Sequence, residues 1–153
     1  MTQKMISAEE KRRVYATLKT KLKIALHQEF FFEALLLEYS ILEDRLFSIL
    51  GHAGIRNTNS KGEPLGFQAK LNKIDNAIRS KQKPIYGKVK PEIVQAVFDW
   101  KETRNTLVHR SCQRIYNGIE VEQCAKAGNE LVNLVTNAAQ SIKNATKKKA
   151  IKG

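Results

Sequence analysis

At 153 residues, with 42% hydrophobic and 27% charged side chains, the chain has the length and composition of one soluble globular domain and is too short for two full cores. Lys and Arg number 27 against 15 Asp and Glu, a net charge of +12, which favours a polyanionic partner, whether nucleic acid or an anionic membrane surface, and says nothing about fold. Two cysteines, Cys112 and Cys124, exclude a disulfide framework, and neither belongs to a Cys-x-x-Cys pair.

The N-terminal residues MTQKMISAEEKRR contain no apolar run of the signal-peptide kind. Ser7 and Glu10 form a capping-box pattern, so a first helix is expected from there. Its inner face is read from Val14, Leu18, Leu22 and Leu26, with a basic outer face. A second helix is expected over 29–50, apolar on two sides. Phe31, Leu35, Leu42, Leu46 and Ile49 form one side, and Phe30, Ala34, Leu37 and Ile41 the other. Such breadth calls for more than one packing partner: either the helix is central to the core, or a second subunit covers it. Glu33, Glu38, Glu43, Asp44 and Arg45 interrupt this most apolar stretch and argue against a membrane span, so a cytoplasmic protein in a reducing compartment is expected.

Gly51 is the expected cap of the second helix, and the polar stretch 51–66 reads as a long loop that is mobile, functional or both. A third helix is expected over 67–81 on Leu71, Ile74 and Ile78. Pro91 opens a fourth at the first-turn position that proline favours, running to His109 or Ser111. A last helix is expected from Ile119 or Glu120, with Val121, Ala125, Leu131, Leu134, Val135, Ala138 and Ile142 inside. The fold class is therefore all-α: about five helices in an up-and-down bundle over residues 1–142. Residues 143–153 form a Lys-rich tail expected to fray. That tail carries five lysines, which leaves the body at +7.

Near the end of the fourth helix lies RNTLVH, residues 104–109. A permanent cation, Arg104, and a titratable imidazole, His109, suit a site that holds a phosphate and moves a proton. On one ideal helix, five residues separate them by about 140°, so they do not share a face. Asn105 and His109, four apart, do, and Lys101 extends that strip by a turn.

RNTLVH resembles the Arg-x-x-x-x-His motif of HEPN domains, in the form with Asn directly after Arg. The resemblance covers six residues in motif and most of the chain in architecture. It implies a metal-independent endoribonuclease that needs no cofactor, of the kind found among toxins and antiviral defence effectors. It further implies a homodimer in which two copies of the motif share one cleft. His109 would then be the general acid/base, Arg104 would bind the scissile phosphate, and Asn105 would orient the site. Lys101, Arg110 and Arg114 are the expected RNA contacts. In the branch paired with a nucleotidyltransferase antitoxin, a Tyr stands two residues after the His. Here Ser111 occupies that position, with Tyr116 further on, so an antitoxin or other protein partner stays open.

Other readings compete. A non-catalytic HEPN-like domain would bind nucleotide, RNA or protein through the same surface. Arg104 could pair with Glu38 or Glu43 at the core edge, and His109 could serve the helix C-terminus. His27 and His52 read as structural or solvated, no metal-ligand spacing is present, and Cys112 reads as a small buried residue.

Overall fold

The computed structural model describes residues 6–111, 113 and 117–153. Five helices account for roughly three-quarters of them: α1 (Ala8–His27), α2 (Phe31–His52), α3 (Phe67–Arg79), α4 (Pro91–His109) and α5 (Gly118–Lys152). The chain is an all-α bundle. Its sole β-type pairing among the described residues is an isolated bridge, Thr58 to Pro64, within the α2–α3 loop.

The α1 capping box forms as expected. Ser7 Oγ accepts from the Glu10 backbone N–H at 3.2 Å, and the Glu10 carboxylate accepts from the Ser7 N–H at 2.7 Å. The Ser7 backbone N–H, and after it the Ser7 hydroxyl, hold the Glu10 carboxyl below its ordinary pKa. The inner face of α1 differs from the expected one. Leu22 and Ala25 are buried, and Leu18 and Leu26 pack partly, but Val14 is 49% exposed. At that end the chain turns Lys11 and Tyr15 inward instead: Lys11 Nζ donates to Ser48 Oγ at 3.2 Å, and the Tyr15 hydroxyl lies 2.9 Å from Thr136 Oγ1. Here α1 meets polar groups of α2 and α5, so an apolar periodicity misplaces the contact by one residue.

Helix α2 is the axis of the molecule. It packs along α5, α1 and α3 and touches α4. Ala34, Leu35, Ile41, Leu42, Leu46, Ile49 and Leu50 are all buried on it. Its apolar breadth is thus covered by four helices of the same chain, and it does not require a second subunit. Phe30, expected on a packed side, is 56% exposed. Gly51 is not the cap. The helix runs to His52, and Gly54 (φ 72°) takes the left-handed turn instead, letting the Ile55 N–H return to Leu50 O at 2.9 Å.

The 53–66 loop closes on itself. Asn59 Oδ1 accepts from the N–H groups of Lys61 (2.9 Å) and Glu63 (3.0 Å), and Asn57 donates its amide to Phe47 O at 3.0 Å. Helix α3 stops at Arg79, two residues short of expectation, because Lys81 adopts φ 55°. Helix α5 starts one residue early, under an Asn117 side chain that accepts from the Ile119 and Glu120 N–H groups. It also continues to Lys152, so residues 143–152 are helical where fraying was expected. Leu134, expected inside, is 46% exposed, whereas Leu131, Val135, Ala138 and Ile142 are buried. Among the described residues, no helix is long and apolar enough to cross a membrane.

Candidate functional site

Pro91 starts α4 at its first turn, and Val94, Val97 and Trp100 fix its inward face. Trp100 is 5% exposed, and its indole N–H donates to the Cys124 carbonyl on α5 at 2.9 Å. This bond pins α4 to α5 one turn before Arg104, so the position of Arg104 is set by the core.

Arg104 is half-buried. Its guanidinium carbon lies 4.3 Å from the centroid of the Tyr39 ring on α2, and its Nη1 donates to Asn105 Oδ1 at 3.0 Å. A guanidinium stacks well on an aromatic face, which fixes its plane while leaving its edge available. The Nε atom is buried and meets no hydrogen-bond partner among the described residues. Burial lowers the Arg104 pKa, and Tyr39 and Cys124 oppose that. The Tyr39 phenol is pushed up by burial and by Glu43, with Arg104 pulling the other way. The expected pairing of Arg104 with Glu38 or Glu43 does not form. Glu43 faces Lys70 at 3.5 Å, and both Glu38 oxygens are without a hydrogen-bond partner among the described residues.

His109 is the last residue of α4 and is exposed, with Asn105 one turn earlier on the same side. The helix stays regular to its end, where the Arg110 N–H reaches Thr106 O at 3.1 Å. Arg104 and His109 therefore keep the separation of an undistorted helix, about 7.5 Å along the axis and about 140° around it. One chain does not bring them together.

The flanking cations divide. Arg110 is exposed beside His109. Lys101 is not on the surface strip where it was expected: it is 8% exposed and tied to α3. Its ammonium donates to Gln68 Oε1 at 2.5 Å, pairs with Glu102 at 2.9 Å and lies 5.1 Å from the Phe98 ring centroid. A lysine whose donors are spent inside the fold is a poor phosphate contact. Arg114, Cys112 and Tyr116 lie outside the described residues. No three His, Cys, Asp or Glu side chains among the described residues converge on a metal-sized space.

Sequence reasoning missed the backing of the site. Glu38 is fully buried, one residue from the Tyr39 platform, and burial pushes its carboxyl up to about 9. It is thus a neutral acid at pH 7, lying against Gly128 and Trp100. Cys124, on the same patch, is raised to about 12 by burial and by Glu38. The clue in the sequence was the spacing: Glu38 stands three residues after Leu35 and four before Leu42, on the packed face.

Gly128 exists for this contact. A Cβ there would lie 2.7 Å from both Trp100 Nε1 and Glu38 Cδ, and closer still to Glu38 Oε1. Inside a helix, Gly→Ala ordinarily gains up to about 1 kcal/mol. Here Gly128→Ala should instead cost about 1–3 kcal/mol through overpacking, read as a lower urea midpoint with an unchanged m-value.

Comparison with protein-family models, with curated proteins and with solved structures returns no match for this chain.

Proposed function

We propose that the protein is a metal-independent endoribonuclease of the HEPN type, acting as a homodimer on RNA. One observation carries the reading. Near the end of α4, a guanidinium stacked on Tyr39 and without a carboxylate partner among the described residues comes five positions before an exposed imidazole, in the order Arg-Asn-x-x-x-His. The net charge of +12 supports a polyanionic substrate.

The chemistry is self-contained. A base removes the proton of the ribose 2′-hydroxyl, whose oxygen attacks the adjacent phosphorus. The bond to the 5′-oxygen breaks, and that oxygen takes up a proton. The products are a 2′,3′-cyclic phosphate and a 5′-hydroxyl. His109 is the proton carrier in this scheme, and Arg104 the cation that balances charge building on the phosphate oxygens. The angular gap between the two residues is why a second subunit is part of the proposal. An Arg104 and a His109 from facing copies can flank one phosphate where a single helix cannot.

The test is cleavage of a single-stranded RNA by purified protein in excess chelator. The expected product is a 2′,3′-cyclic phosphate end. Cleavage that occurs only with a divalent metal, or none at all, would overturn the assignment. The wide separation of Arg104 and His109 within one chain favours the second reading, a HEPN-like domain that binds RNA without cutting it. That reading predicts RNA retention on a filter with no cyclic product.

A further inference from the structure

At the opposite end of α2 from Tyr39, a cavity of about 310 Å³ opens between α1, α2 and α5. Ser48, in its wall, is nine residues beyond Tyr39, roughly 14 Å along the helix axis, so this space is separate from Arg104 and His109. Its size matches small-ligand pockets. Four cations line it, Lys11, Arg12, Arg45 and Lys143, together with His52, and among the described residues no carboxylate does.

The cations are held in two ways. Lys11 lies 3.0 Å from Asp44 and donates to Ser48, while Arg45 bonds the same Asp44 and stacks 4.3 Å over the Tyr15 ring. One aspartate thus serves two cations and leaves a positive excess. Arg12 and Lys143, on α1 and α5, enter no ion pair among the described residues. The His52 imidazole registers that excess: burial lowers its pKa first, and Lys143, Lys11, Arg45 and Lys147 lower it further. Positive charge gathered in a cavity from three helices is costly unless an anion joins it. The inward turn of Lys11 and Tyr15, which displaces Val14, builds this wall, with Tyr15 also packing against the core edge.

We infer that this cavity is a binding site for a polyphosphate group, two or more phosphates in series, gripped by Arg12 and Lys143 across a floor of Lys11 and Arg45. Such a group is carried either by a free nucleoside polyphosphate or by a 5′-triphosphorylated RNA end. The site does not depend on the ribonuclease reading.

Titration calorimetry with tripolyphosphate at about 0.1 M salt, where diffuse surface attraction is largely screened, should give saturable one-to-one binding. Arg12→Ala and Lys143→Ala should each weaken it about tenfold, the effect of losing one charge-assisted hydrogen bond. Both side chains are without ion pairs, so circular dichroism should show the fold intact. Lys88→Ala, in the exposed α3–α4 connector, should leave binding unchanged. Displacement by ATP identifies the free nucleotide as the source. Displacement by 5′-triphosphorylated RNA and not by its 5′-hydroxyl form identifies the RNA end. No saturable binding, or equal weakening by Lys88→Ala, would overturn the site.

Discussion

Unfolding free energy should decline as pH rises from 5 towards 9, and Glu38→Gln should remove most of that decline. The folded Glu38 carboxyl titrates at about 9, far above its ordinary 4.5, because burial strips water from the charged form and no partner among the described residues replaces it. Between those two values the unfolded chain has released this proton while the folded chain still holds it. The stabilisation is complete below about 4.5 and is lost as pH climbs to about 9. The slope from one such group is at most ~1.4 kcal/mol per pH unit. Lys70, 2% exposed and lowered by burial, contributes with the opposite sign near the alkaline end, so the comparison with Glu38→Gln isolates the carboxyl. Glutamine keeps the shape and cannot ionise, so the variant should be more stable than the native protein at pH 8 and nearly equal to it at pH 5. Chemical denaturation at several pH values reads both. Parallel curves for the two proteins would mean that Glu38 finds a partner.

The same residue shows where the sequence was legible and where it was not. Helices announce themselves through local signals: the Ser7–Glu10 box, Pro91 at a first turn, and apolar spacing along α2, α4 and α5. Each depends on residues within a turn or two of one another, so five helices were expected and five form. What failed was set by distant chain. Lys11 and Tyr15 displace Val14 because Ser48 and Thr136 happen to face them. Lys101 leaves its surface strip because Gln68, on another helix, is within reach. The stacking of Arg104 on Tyr39 joins residues 65 positions apart, and no local pattern encodes it. The motif was readable; its platform was not. The breadth of α2 is the instructive case between these. It was correctly read as a demand for several partners, and α1, α3, α4 and α5 supply them, so the case for a dimer now rests on the site alone.

That case has a decisive experiment. If Arg104 and His109 act as proposed, His109→Ala should lower RNA cleavage by about 10²–10⁴-fold, the usual contribution of a positioned acid/base. Arg104→Ala should cost about 10²-fold or more by removing the charge that meets the transition state. Arg104 also stacks on Tyr39, so its loss could act through the fold. Arg104→Lys separates the two effects: it keeps the charge and loses the planar stack, and it should recover part of the activity. His109 is exposed at a helix end, so His109→Ala should leave thermal unfolding unchanged within about 0.5 kcal/mol. The sharper result comes from mixing. If each catalytic centre draws Arg104 from one subunit and His109 from its partner, two inactive proteins, one Arg104→Ala and one His109→Ala, should regain cleavage after joint unfolding and refolding. The mixed dimer has one arrangement in which an intact arginine and an intact histidine meet across the interface. The doubly substituted chain refolded with either single variant should regain nothing, because no such pair can then form. Recovery in the first mixture alone would establish a centre built from two chains. Full activity in a strictly monomeric protein would show that α4 closes the gap between Arg104 and His109 by itself.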